Sequence, residues 1–132
     1  MPKLLALILE DEVDIRTMLG FTISRMGFDV LEASTGEQAL DITRERVPDL
    51  LLLDIMLPGI SGFEVLTTLR MDARFDSSAI VMCTALRGLD RVENCLEAGA
   101  DDYIQKPMEV AVLRTKVERA LRKRGKIYQM PS

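Results

Sequence analysis

The residues best suited to chemistry in this chain are three acids, a hydroxyl and a lysine: Glu10 and Asp11, Asp54, Thr84 and Lys106. Carboxylates gathered within a few ångströms repel, and some are driven to protonate unless a cation relieves them. A hard divalent cation with oxygen ligands is the natural solution. Magnesium fits best, because it binds through one or two carboxylates, keeps several waters and leaves positions for phosphate oxygens. An aspartate beside such a metal is suited to forming an aspartyl-phosphate. Phosphoryl transfer needs mainly positioning and charge neutralisation, which a metal and a lysine together supply. Each residue alone has a plainer role: Asp54 and Thr84 as strand ends, Lys106 as a solvated lysine. Only a fold that gathers them makes a site.

The elements that must do so are legible. Leu50 to Leu53, four consecutive leucines between Asp49 and the Pro58-Gly59 break, predict a strand buried on both faces with Asp54 at its end. Leu4 to Leu9 predicts another, ended by Glu10, Asp11 and Glu12. Ile15, Leu19, Thr22 or Ile23, and Met26 recur at helical spacing, and Gly27 closes that helix. Phe28 to Glu32 predicts the second strand. Ser34 and Thr35, with Glu37 and Gln38 three residues on, predict a capped helix to about Arg46. Ser61 with Glu64 repeats that signature for a third helix with Val65, Leu66 and Leu69 inward. Ala79 to Cys83 predicts the fourth strand, Arg87 to Ala98 the fourth helix, and Asp102 to Ile104 the fifth strand. The last helix is expected from about Glu109 to Arg124, burying Val110, Leu113, Val117 and Leu121.

Strands alternating with helices predict an α/β fold with a parallel sheet covered on both faces. The right-handed crossover rule leaves few topologies open. A flavodoxin-like three-layer (βα)5 arrangement, strand order 2-1-3-4-5, puts the switch point between the first and third strands. Glu10 and Asp11 then face Asp54 across that point, and Thr84 and Lys106 arise on the same edge.

Composition bounds the function. The 132 residues make one domain, and the net charge of −4 argues against a nucleic-acid surface on it. No run of 18 apolar residues exists, and Met1-Pro2-Lys3 leads straight into a strand, so neither a membrane span nor a signal peptide is expected. Cys83 and Cys95 make no metal-ligand spacing and suit a reduced, cytoplasmic setting, with Cys83 a small buried filler. Histidine is absent, which removes Ser-His-Asp and Cys-His catalysis and the commonest zinc sites. Any phosphohistidine involved must therefore belong to a partner. The basic run Arg122-Lys123-Arg124 with Lys126 reads as a helix end complementing the macrodipole, rather than a nucleic-acid arm.

Over nearly its full length the chain resembles a response-regulator receiver domain of two-component signalling. The matching pieces are Leu9-Glu10-Asp11-Glu12, Leu53-Asp54-Ile55-Met56-Leu57-Pro58-Gly59, Thr84-Ala85, and Gly99-Ala100-Asp101-Asp102-Tyr103-Ile104-Gln105-Lys106-Pro107. The resemblance implies that Asp54 accepts a phosphoryl group from a sensor histidine kinase or phosphotransfer protein. It implies Mg²⁺ held by Asp11, Asp54 and the Met56 backbone carbonyl, with Glu10 reaching it through water. Lys106 pairs with the phosphoryl oxygens, and Thr84, followed by Ala85, turns toward them. Tyr103 rotates inward in step, changing the surface of the fourth helix, fifth strand and fifth helix for an output domain or effector protein. This is a population shift between states already available. A homodimer formed on phosphorylation is a further partner the resemblance admits. The Lys106–Pro107 bond is expected to be cis. Met56 and Leu86 stand where they border the approach of a hydrolytic water, and both are apolar, which implies a long-lived phosphoryl group. Two positions depart from the family's usual pattern: Glu10 replaces Asp in the acid pair, and Met108 stands where Phe is common. Residues 1–124 are read as the receiver and 125–132 as a tail or the start of a linker. The protein is expected to be a phosphoacceptor that assists its own phosphorylation and dephosphorylation, not an enzyme acting on other substrates.

Three rival functions share parts of this pattern. A haloacid-dehalogenase-type phosphatase needs a second Asp two residues after the first, where Met56 stands. A flavodoxin-like FMN carrier needs a phosphate loop where Glu10, Asp11 and Glu12 would repel one. A receiver fold used only for docking, never phosphorylated, is the alternative that only experiment separates.

Overall fold

The three inner strands of the sheet are almost wholly buried because each meets helices on two sides. The computed structural model describes residues 3–129 and 131. Five strands, Leu5–Leu9 (β1), Asp29–Ala33 (β2), Leu50–Asp54 (β3), Ala79–Thr84 (β4) and Asp102–Gln105 (β5), form one parallel sheet in the order β2-β1-β3-β4-β5. The α-helices between and after them are Val13–Arg25 (α1), Gly36–Glu45 (α2), Gly62–Arg70 (α3), Val92–Glu97 (α4) and Val110–Lys123 (α5). This is the expected flavodoxin-like topology.

Successive side chains of a strand point to opposite faces, and the leucines of β3 divide accordingly. Leu50 and Leu52 pack with Leu19 and Ile23 of α1 and with Leu113 and Val117 of α5. Leu51 and Leu53 pack with Ala39 of α2, Val65 and Leu66 of α3, and Val92 of α4. Four leucines in a row are needed because two hydrophobic cores share this strand. Burial of each stabilises the fold by about 1.5–3 kcal/mol.

The caps follow the sequence with one refinement. Thr35 Oγ1 accepts from Gln38 N (3.1 Å), while Gln38 Oε1 accepts from Ser34 N (2.8 Å), so the box is spread over both residues. Ser61 Oγ accepts from Glu64 N at 3.2 Å and starts α3.

Two expectations are corrected. The fourth helix does not begin at Arg87: Leu86–Arg91 is a 3-10 segment, and α4 proper is Val92–Glu97. Gly88 lowers helix propensity there, and its backbone is pressed against Thr84, so the chain follows that contact. Val110 is half exposed (50%) rather than buried. It is the first residue of α5 and lies over a groove shared with Phe21 and Thr22 of α1, outside the sheet-facing stripe.

Beyond α5 the chain turns back along the amino-terminal edge of the sheet. Lys126 Nζ pairs with Asp49 Oδ1 at 2.9 Å. The Tyr128 ring stacks on Phe28 with centroids 5.4 Å apart, and its hydroxyl donates to the Met26 carbonyl at 2.8 Å. Of the segment 125–132, Met130 and Ser132 lie outside the described residues, as do Met1 and Pro2. The basic run is engaged with acids: Arg122 with Glu118, and Lys123 and Arg124 with Asp101.

Candidate functional site

Strand direction gathers the site. Parallel pairing brings the carboxyl ends of β1, β3, β4 and β5 to one edge. Glu10 follows β1, and its N–H donates to Ala33 O at 3.1 Å, continuing the ladder toward β2. Asp54 is the last residue of β3, opposite Cys83, and Thr84 is the last of β4, opposite Gln105. The Lys106 N–H donates to Thr84 O at 2.8 Å, which fixes where the lysine leaves the sheet. The Lys106–Pro107 peptide is cis.

Four of the five chemical residues converge: Glu10, Asp11, Asp54 and Lys106. Glu10, Asp11 and Asp54 each offer a carboxylate oxygen, and these lie within 4.8 Å of one another. Glu10 (1% exposed) and Asp54 (4%) are buried, whereas Asp11 faces solvent. Lys106 Nζ donates to Asp54 Oδ2 at 2.9 Å and also contacts Glu10 Oε1. The other Asp54 oxygen, Oδ1, accepts from Met56 N at 3.1 Å.

Charge is strained here, in the electrostatic sense. Burial pushes the Glu10 carboxyl up to about 7, with the Asp54 charge adding to it and Lys106 and the Glu12 N–H opposing it. Burial pulls Lys106 the other way, toward neutrality, yet its bonds to Glu10 and Asp54 outweigh that and raise its pKa. The pocket therefore holds its lysine charged and one of its acids only half willing to ionise. Cys83, behind the site, is pushed up to about 12 by burial and stays a thiol.

The remaining sequence-chosen residues surround this centre. Thr84 is buried, and its hydroxyl donates to the carbonyl of Ala85 at 2.8 Å. Met56 is partly buried, while Leu86 is 72% exposed. Tyr103 is half-buried, with Lys116 Nζ 4.5 Å above its ring and in contact with its carbonyl.

Other residues position the site without having been singled out. Arg16 Nη1 of α1 donates to the Glu10 carbonyl at 2.8 Å, and its Nε lies 3.5 Å from Glu32 Oε1, tying the β1–α1 turn to β2. Gly62 lets α3 begin against β3: a Cβ there would come within 1.9 Å of the Asp54 carbonyl oxygen. A glycine at the first turn of a capped helix was the available signal, since it is otherwise a poor choice there. For Arg16 the sequence carried no signal beyond its place on the helix.

A hard cation fits this donor set. All its side-chain donors are carboxylate oxygens, and Glu10 Oε1 is a buried atom without an aligned hydrogen bond of its own. A bound divalent ion would offset the Asp54 charge that adds to burial in raising Glu10.

Comparison with known proteins places the chain in a family. Residues 6–118 match the family model described as response regulator receiver domain. The chain is 43% identical over 123 residues to the transcriptional regulatory protein AfsQ1 of Streptomyces coelicolor, covering 93% of this chain and 52% of that protein. It is 42% identical to a cyclic di-GMP phosphodiesterase of Thermotoga maritima, covering 89% of this chain and 31% of that one. The chain thus spans about half or less of these relatives' length. The crystal structure of the receiver domain of NtrX from Brucella abortus superposes with a TM-score of 0.81 at 29% identity, covering 89% of this chain and 98% of that one. Among the described residues, no helix is long and apolar enough to cross a membrane.

Proposed function

This chain belongs to the response-regulator receiver domain family, and from that premise we propose that Asp54 accepts a phosphoryl group from a partner's phosphohistidine in a Mg²⁺-dependent reaction. The observation that carries the proposal is the triad Glu10, Asp54 and Lys106 closed by contacts at one sheet edge.

Asp11, Asp54, the Met56 carbonyl and, through water, Glu10 would hold the ion. When bound, it supplies positive charge against the phosphoryl oxygens and the acids. An Asp54 carboxylate oxygen forms the new O–P bond as the N–P bond of the phosphohistidine breaks. The partner's imidazole leaves with that electron pair. Lys106 exchanges its bond to Asp54 Oδ2 for a phosphoryl oxygen, keeping its charge paired throughout. Thr84, beside Ala85, releases the Ala85 carbonyl and turns to the phosphoryl group. Tyr103 follows inward, which alters the surface of α4, β5 and α5 presented to an output domain or effector protein. The same residues assist phosphorylation and its reversal, so the domain acts on itself.

We further infer a sensor histidine kinase or phosphotransfer protein as donor and a cytoplasmic setting. Two unpaired buried cysteines support that setting. Residues 1–124 form the switching body on this reading, and 125–132 its tail.

Incubation with a small phosphodonor such as phosphoramidate and Mg²⁺ tests the reading. The expected result is one phosphoryl mass increment that Asp54→Asn abolishes. No increment in a folded domain would leave a docking module that is never phosphorylated.

A further inference from the structure

In the 3-10 segment Leu86–Arg91, Gly88 alone is buried. Its N–H donates to the Ala85 carbonyl at 3.0 Å, the same oxygen that accepts the Thr84 hydroxyl at 2.8 Å. A single carbonyl thus ties the segment and the threonine together. The fit is tight on the side-chain face too. A Cβ on Gly88 would stand 2.2 Å from Thr84 Oγ1, 3.1 Å from Met56 Cγ and 3.5 Å from Thr84 Cβ. The first distance is far inside contact, the second asks a flexible methionine to give slightly, and the third is ordinary. Only the Thr84 hydroxyl, in its present position, forbids a side chain at 88.

We infer that Gly88 is a positioning residue: its missing side chain is the space that lets Thr84 rest with its hydroxyl on Ala85, away from the acids. This follows from the phosphoacceptor reading and deepens it, because the threonine's resting position sets how much the phosphoryl group must do to draw it in. Threonine has few χ1 wells, so a methyl at 88 evicts the hydroxyl to another well instead of shifting it a little. Away from Ala85 the buried hydroxyl gives up that hydrogen bond until a phosphoryl oxygen arrives. Gly88→Ala therefore raises the resting state in energy and leaves the engaged state nearly untouched, a population shift produced from one side.

The probe is beryllium trifluoride with Mg²⁺, a stable stand-in for the phosphoryl group on Asp54. Gly88→Ala is expected to bind it on the order of tenfold more tightly than the parent, about 1.4 kcal/mol. The gain should vanish when Thr84→Ala is present in both members of the pair. Without the probe, thermal unfolding gives a second readout: Gly88→Ala lowers Tm, and adding Thr84→Ala to it restores Tm. If Gly88→Ala alone does not fold and the double variant does, the steric lock is supported. Equal or weaker probe binding by Gly88→Ala, with a parent that binds, overturns it. So does an unstable Gly88→Ala that Thr84→Ala fails to restore, since the obstacle would then be Met56 or the backbone. A parent that does not bind the probe removes the phosphoacceptor reading, and with it this role for Gly88.

Discussion

Lys106 Nζ lies 2.9 Å from Asp54 Oδ2, linking side chains 52 positions apart, and the same ammonium touches Glu10. One cation therefore holds two buried acids together, and its pKa is raised by both after the opposing effect of burial. Asp54 is oriented by this contact before any phosphoryl group arrives.

Removing that cation should expose the repulsion it hides. Lys106→Met is expected to lower stability by about 3 kcal/mol at pH 8 in the presence of a chelator. Urea unfolding measures this, and millimolar Mg²⁺ should recover part of the loss. An unchanged midpoint would mean the two acids do not depend on Lys106.

The pH dependence has an unusual sign. Glu10 is raised from 4.5 to about 7 on folding, so between those values the folded state holds a proton that the unfolded state has lost. For this group stability is greatest below pH 4.5 and declines as pH rises toward and through about 7. The metal-free domain should accordingly lose stability from pH 5 to pH 8 by this contribution. Glu10→Gln should flatten that slope and raise stability at pH 8 by on the order of 1 kcal/mol. A chelator-treated pH series of urea midpoints for the two proteins checks it.

Phosphoryl lifetime should respond to the two apolar flanks. Leu86 is exposed and Met56 borders Gly88, and neither can orient a water molecule. Met56→Asn combined with Leu86→Glu is expected to speed loss of the phosphoryl group on the order of tenfold, as placed polar groups do for an attacking water. Following the decay of phosphorylated protein by intact mass gives the rate. Equal rates would remove these side chains from the water's path.

Far from the acids, Asp101 is a fully buried side chain that accepts from Arg70 (3.2 Å), Arg124 (2.8 Å) and the Ile80 N–H (2.8 Å). Arg70 also donates to the carbonyls of Gly99 and Phe75. Asp101→Ala leaves a half-buried guanidinium without its counter-charge and should cost about 3–5 kcal/mol. Chemical denaturation would show it, with little effect on phosphorylation of the remaining folded protein.

Much of this was legible in the chain because strand burial and carboxyl-end placement are local patterns. Leu50 to Leu53 announced the central strand, and its direction carried Asp54 to the edge where Glu10, Thr84 and Lys106 also emerge. What the pattern could not convey depends on contacts between distant segments. Nothing in the sequence marked Gly88, inside the expected fourth helix, yet its absent side chain is where Thr84 rests. Val110 kept the period of α5 but stands at its first turn, beyond the reach of the core. Asp101 sat inside the motif Gly99 to Pro107 with no sign that it anchors α3 and α5. Arg16 and Lys116 are ordinary cations in sequence and acquire meaning only where their heads land, on the Glu10 carbonyl and over the Tyr103 ring.

The fold-back of Lys126 and Tyr128 has a mechanical consequence. These residues grip Asp49 and Phe28, at the starts of β3 and β2, whereas the acids stand at the strands' far ends, about 16 Å away for a five-residue strand. Lys126 and Tyr128 thus moor this end of the chain to the floor of the molecule, with the full length of the strands between it and the pocket.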